Sequence, residues 1–115
     1  RKSKVSQAEL ELENADLRLD ETKQRLSLQA QNAQNDYQFS IENYQTAKKN
    51  VGLAERIEKK QRIKFFEGIS SSFDLLQAQN QLYSQQQSYI QSMLDVISNK
   101  AALENALNLP INTTK

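Results

Sequence analysis

The sequence predicts an all-α protein, a long antiparallel coiled-coil hairpin, and three observations carry that expectation. Only two glycines and one proline occur in 115 residues, far below the usage that turn-rich folds require. An apolar repeat with alternating steps of four and three residues runs through most of the chain. A single strong turn signal interrupts it. Strand-rich folds and glycine-loop nucleotide sites are thereby excluded, and long helices with few breaks remain.

The outgoing helix is placed over residues 1–67. It contains no proline, and its one glycine, Gly52, is the kind of isolated helical glycine that a long helix carries at a cost of about 1 kcal/mol. Ala8, Leu12, Ala15, Leu19, Thr22, Leu26, Ala30, Ala33, Tyr37, Ser40, Tyr44, Ala47, Val51 and Ala54 follow the coiled-coil spacing,. Thr22, Leu26, Ala30 and Ala33 include a stutter, which relaxes the supercoil locally. Leu10, Leu17, Leu28, Phe39, Ile41, Leu53 and Ile57 fall off this seam. An apolar residue two positions from a seam residue lies ~200° around the helix, so the helix is expected to have neighbours on more than one side.

The tip turn is placed at 68–71. Gly68 suits the left-handed position just past a helix end, and Ser71 with Asp74 three residues on forms a capping box for the next helix,. So short a link forces the helices antiparallel. The return helix is placed over residues 72–109. Its seam is expected at Phe73, Leu76, Asn80, Tyr83, Gln87, Ile90, Leu94, Ile97 and Ala101, with a parallel row at Leu75, Leu82, Tyr89, Val96 and Leu103. Asn108-Leu109-Pro110 is expected to end it, leaving 110–115 as a tail. The two lengths differ, ~95 Å against ~55 Å at 1.5 Å per residue, so the leucines in about the first 25 residues require cover from a segment or subunit outside this chain.

Little chemistry is available. There is no histidine and no cysteine, so the usual general bases, thiol nucleophiles and metal ligands are missing, and no enzymatic residue set, cofactor or metal site emerges. The early carboxylates Glu9, Glu11, Glu13, Asp16, Asp20 and Glu21 sit between the apolar stripes as a solvated face. The net charge of +1 gives no bulk attraction for nucleic acid. The basic run from Arg56 to Lys64 precedes a capped turn instead of forming a free fork, which argues against zipper-type DNA binding. Seven glutamines between Gln77 and Gln91 are good helix formers; a lining for an aqueous conduit is an alternative that the composition allows but does not show. Phe65, Phe66 and Phe73 are expected to pack the hairpin end. No apolar run reaches the length of a spanning helix, and the chain opens on Arg1 without a signal-peptide core, as a segment of a longer protein would.

At the turn the pattern becomes specific. Lys64-Phe65-Phe66-Glu67-Gly68-Ile69-Ser70-Ser71-Ser72-Phe73-Asp74-Leu75-Leu76-Gln77-Ala78-Gln79-Asn80-Gln81-Leu82, with Lys100-Ala101-Ala102-Leu103-Glu104-Asn105-Ala106-Leu107 closing the helix, resembles the second-repeat signature of TolC-like outer-membrane efflux proteins. The resemblance implies a homotrimeric duct in the outer membrane of a Gram-negative bacterium, with a β-barrel continued by a periplasmic α-barrel. This chain would supply a periplasmic hairpin to that barrel and none of the barrel strands. It implies a passive channel rather than an enzyme, partnered by a periplasmic adaptor and an inner-membrane pump, with no nucleic acid. Its gate and adaptor-contact tip would comprise Phe65, Phe66, Gly68, Ile69, Ser70, Ser71, Asp74 and Gln77. Ser70 stands where some members carry arginine and Gln77 where some carry a second aspartate, so the latch and acidic ring described for those members lack these charges here. Asn108 replaces the usual glycine after the closing Ala-Leu. The competing readings are an adaptor hairpin, which would be flanked by lipoyl-like sequence, and a scaffold coiled coil, which would be stable as an isolated dimer.

Overall fold

The computed structural model describes residues 2–112, and among these there are two helices and no strand. Helix α1 spans Lys2–Phe66 and helix α2 spans Ser72–Asn112. Contacts divide the chain into a unit formed by Asp36–Ala101 and another formed by 1–35 with 102–115.

In the unit Asp36–Ala101 the helices form an antiparallel hairpin with a seam of small side chains. Ser40, Ala47, Ala54, Ala78 and Ser92 are its buried residues. Each buried serine satisfies itself locally. The Ser40 hydroxyl donates to the Tyr37 carbonyl at 2.7 Å and the Ser92 hydroxyl to the Tyr89 carbonyl at 2.6 Å. Both therefore behave as alanine-sized residues that leave no polar group unpaired. Between these small layers Tyr44 and Tyr89 stack, with ring centroids 5.4 Å apart, planes inclined by 28° and hydroxyls 3.1 Å apart. That pair fixes the register. It sets Ala54 near Ala78, with both side chains lining one cleft, and a half-turn shift would bring an aromatic ring against an alanine layer.

The hydrogen bond with Tyr44, followed by desolvation, holds the Tyr89 phenol above its ordinary value near 10,. A raised pKa means that the folded state retains a proton which the unfolded chain releases. The stabilisation is therefore complete below about pH 10 and is lost as pH rises through the folded value. The expected result is a denaturation midpoint that falls in alkaline solution for the wild type and falls less for Tyr89→Phe, measured by urea unfolding in buffers from neutral to alkaline pH.

From Leu26 onward the α1 seam follows its expected course, with Leu26, Ala30, Ala33, Tyr37, Ser40, Tyr44, Ala47, Val51 and Ala54 all buried or half-buried, whereas the earlier expected positions Ala8, Leu12, Ala15, Leu19 and Thr22 are exposed. It also continues at the same spacing through Glu58 and Gln61, both half-buried. The α2 seam does not follow the expected one. The inward residues are Leu75, Ala78, Leu82, Gln85, Tyr89, Ser92, Val96 and Asn99, so the row first taken as parallel is the contact row. Phe73, Leu76, Tyr83, Ile90, Leu94 and Ile97 are each more than half exposed. The reason is steric. The alanines and serines of α1 draw the backbones together, and only the α2 row that itself contains Ala78 and Ser92 permits that approach.

Gly52 is half-buried and helical, and a β-carbon there would meet nothing within 4 Å. No close approach demands glycine at this position. Gly52→Ala is therefore expected to stabilise the fold by ~0.5–1 kcal/mol through helix propensity and a less flexible unfolded chain, read as a higher denaturation midpoint.

In the other unit, Leu26, Ala30, Ala33, Leu103 and Ala106 are half-buried, whereas residues 3–25 are exposed throughout. Leu10, Leu12, Leu17 and Leu19 are among the exposed large side chains, as the length difference predicts. Helix α2 runs to Asn112, through the expected stop at Asn108-Leu109-Pro110. Proline's fixed φ is itself compatible with a helix, and the helical backbone continues two residues past it,. The rest of the expected tail, 113–115, lies outside the described residues.

Candidate functional site

The tip is built by two caps placed back to back. Helix α1 ends at Phe66, one residue before the expected boundary, and five residues precede Ser72. Gly68 has φ +76°, the left-handed conformation that glycine adopts without steric cost. Around it the Ile69 amide donates to the Lys64 carbonyl at 2.8 Å and the Gly68 amide to the Phe65 carbonyl at 3.0 Å. This is the paired pattern of a Schellman motif, which satisfies carbonyls that the helix end would otherwise orphan. The Ser70 amide adds a second bond to Lys64, at 3.2 Å.

Helix α2 then begins on Ser71. Its hydroxyl accepts from the Asp74 amide at 3.2 Å, and its carbonyl accepts the first helical bond from Leu75. Asp74 in the first turn also complements the positive end of the helix dipole,. Ser70 ties the turn to α1, its hydroxyl donating to the Gln61 side-chain oxygen at 3.0 Å.

All eight tip residues named from the sequence thus fall in the turn or the helical turns beside it, in different settings. Ser70 is half-buried, whereas Gly68, Ser71, Asp74 and Gln77 are exposed. Phe66, Ile69 and Phe73 are each at least 71% exposed, so Phe66 and Phe73 do not pack the hairpin end as expected. Phe65, at 37% exposure, meets Phe66 edge to face with centroids 5.9 Å apart. The turn is too tight to fold these rings beneath it, and three large apolar side chains stand in solvent around a glycine.

Behind the tip, two shallow clefts follow the junction of the helices. One, of about 290 Å³, is lined by Ile57, Gln61, Asp74, Gln77, Ala78 and Gln81. The next, of about 190 Å³, is lined by Asn50, Leu53, Ala54, Ile57, Ala78, Gln81 and Gln85. Gln61 and Ile57 were missed from the sequence. The signal for Gln61 was present, because the seam spacing simply continues from Ala54 through Glu58, but a polar residue does not register in an apolar repeat. Glu58 is paired with Arg62 at 3.6 Å, and this is the one ion pair found among the described residues. No metal-holding cluster and no membrane-crossing helix occurs among them.

Within Asp36–Ala101 each helix carries a second apolar row in the open. On α2 the row from Phe73 to Ala101 is centred ~150° from the seam, and on α1 Phe39, Leu53 and Ile57 are centred ~110° from it. A helix in a two-stranded coil has one seam, and a helix in a compact bundle has one continuous stripe. Two separated rows leave large apolar side chains exposed on both flanks of the hairpin. The chain belongs to the outer membrane efflux protein family, whose model matches residues 1–109. That family consists of channel proteins rather than enzymes, and the chain is accordingly a component of an outer-membrane efflux channel. No curated protein and no solved structure matches it significantly.

Proposed function

We propose that this chain forms part of the periplasmic wall of a homotrimeric efflux duct, with its tip at the entrance, where it gates the channel and docks a periplasmic adaptor linked to an inner-membrane pump. The observation that carries this reading is the pair of exposed apolar rows on opposite flanks of the hairpin, Phe73 to Ile97 on α2 and Phe39 to Ile57 on α1. Lateral neighbours on both sides are what a tubular wall needs. The two rows also turn the wall. The ~110° angle in α1 bends it one way more strongly than the ~150° angle in α2 bends it back. The concave side then presents Gln77, Gln81, Ser84, Ser88 and Gln91, a neutral hydrogen-bonding surface suited to a water-filled passage for chemically varied solutes. The exposed Phe66, Ile69 and Phe73 provide a small apolar contact at the tip, held in place by the double cap.

Transport through such a wall involves no bond chemistry. Opening would be a rearrangement of neighbouring hairpins at their tips, driven by the partner proteins. The experiment is single-channel conductance of the full-length protein carrying Asp74→Ala, and separately carrying a cysteine pair across neighbouring tips. Altered conductance for the first and an oxidant-dependent block for the second are expected. Unchanged conductance and export in both would remove the tip from the gate.

A further inference from the structure

In this chain the groups that give up a single electron most readily are the tyrosines. Cysteine and tryptophan, the side chains that compete with phenols for one-electron oxidants, are both absent, and four tyrosines and one methionine remain. Tyr83 stands in solvent at 62% exposure, its hydroxyl accepting from the Gln87 amide. Tyr37 precedes Tyr44 by two helical turns, ~10 Å, beyond the reach of ring contact. Tyr44 and Tyr89 are half-buried and form the one stacked tyrosine pair among the described residues. Met93, half-buried one helical turn beyond Tyr89, reacts by a different chemistry, the uptake of an oxygen atom on sulfur.

The Tyr44–Tyr89 pair has the geometry that joins two phenols through carbon. Its hydroxyl oxygens are 3.1 Å apart, whereas its ring centroids are 5.4 Å apart with planes inclined by 28°. The rings therefore converge toward their hydroxyl edges. In each ring the two ortho carbons flank the carbon that bears the hydroxyl, so the edges that approach most closely carry the ortho carbons. A phenoxyl radical places much of its unpaired spin on those same atoms. Each ring is anchored on its own helix between layers of small buried residues, Ser40 and Ala47 on α1 and Ser92 on α2. The reacting carbons are thus held together before any oxidation occurs, and no diffusional encounter is needed.

We propose that Tyr44 and Tyr89 form a site of oxidative modification, at which a one-electron oxidant of the hydroxyl-radical class couples the two rings into a dityrosine that staples α1 to α2. Each phenol gives one electron to the oxidant and its hydroxyl proton to water, leaving two phenoxyl radicals. The two unpaired electrons then form one bond between an ortho carbon of Tyr44 and an ortho carbon of Tyr89. Each joined carbon loses its hydrogen as a proton and each oxygen regains one, which restores two phenols. The net change is the loss of two electrons and two protons, and no atom is added. Because this pair sets the register of the hairpin, the new bond fixes that register covalently and closes a loop through the tip turn. Closure of this kind stabilises by removing freedom from the unfolded chain, so oxidation at this position strengthens the hairpin.

The test illuminates the full-length protein in detergent with tris(bipyridine)ruthenium(II) and persulfate, a source of one-electron oxidant, and maps cross-linked peptides by mass spectrometry. A peptide pair joined through Tyr44 and Tyr89, lighter by two hydrogens than the sum of its parts, is expected. Tyr44→Phe and Tyr89→Phe, which keep the ring and its packing, should each abolish that pair, and Tyr83→Phe should retain it. Unfolding in urea before illumination should lower its yield about tenfold or more, because the preset proximity is lost. The coupled protein should also melt at a higher temperature than untreated protein. Absence of the pair from the folded wild type, a yield unchanged in urea, or addition of oxygen to these rings in place of coupling would overturn the proposal. An unchanged melting temperature in the coupled protein would overturn the staple.

Discussion

Replacing Ile90 and Leu94 together by lysine is expected to abolish assembly of the full-length channel while leaving the hairpin's own packing intact. Both side chains are more than half exposed, at 53% and 54%, and they share the α2 face that points away from the α1 seam. Nothing within the hairpin depends on them, so helix content and the Tyr44–Tyr89 contact should survive. A lateral neighbour covering this row loses ~1.5–3 kcal/mol for each large aliphatic side chain. It must in addition desolvate two ammonium groups without partners, at several kcal/mol each. A symmetric oligomer repeats the penalty in every copy. Circular dichroism and light scattering on the detergent-solubilised protein separate the two effects. Native helicity with a monomeric mass is the predicted outcome, and a normal oligomer would show that this row is not an interface.

The second large effect belongs to Gly68. Its φ of +76° is left-handed, and a β-carbon added there would meet nothing within 4 Å. The penalty for a substitution is therefore one of backbone conformation and not of space. Alanine should lose ~1–2 kcal/mol, and valine more, because β-branching further restricts the left-handed region. Asparagine should lose least, since its short polar side chain tolerates that conformation. Valine is also expected to release the Ile69-to-Lys64 and Gly68-to-Phe65 bonds, which would appear as accelerated hydrogen exchange at those amides in the full-length protein. Equal losses for asparagine and valine would mean that the turn reforms around another residue. Because the tip is a candidate gate, the same series tests function: a loosened turn should raise the open probability of the channel before it unfolds the hairpin.

The turn was legible in the sequence because its chemistry is local. Glycine at the left-handed position, serine at the cap and aspartate three residues on each act through the backbone within a few residues. The structure shifts the boundary by one residue and forms one half of the capping box, the Asp74 amide donating to the Ser71 hydroxyl. The α1 seam was legible for a related reason, since spacing alone gives the phase of a long helix. The α2 seam was not. Two rows competed there, and the bulkier one, from Phe73 to Ile97, attracted the assignment because apolar volume ordinarily marks the buried side. Burial here depended on what α1 offered in return, Ala47 and Ala54 and a self-satisfied Ser40, and that preference for small partners exists only once the two helices are apposed. The phenylalanines at the tip were misjudged in the same way, because whether a five-residue turn can fold its rings inward depends on the space left by the other helix. Gln61 was overlooked because a polar residue does not register in an apolar repeat, although the seam spacing runs through it.

The sequence by itself determined the all-α class, the single hairpin turn with its caps, the register-bearing row of α1 and the demand for outside neighbours, since each follows from backbone chemistry and periodicity along one chain. Tertiary structure alone decided which α2 row faces inward, which aromatic residues stack and which stand in solvent. Those outcomes depend on how closely two helices approach, and that distance is a property of the pair of surfaces and of neither helix alone.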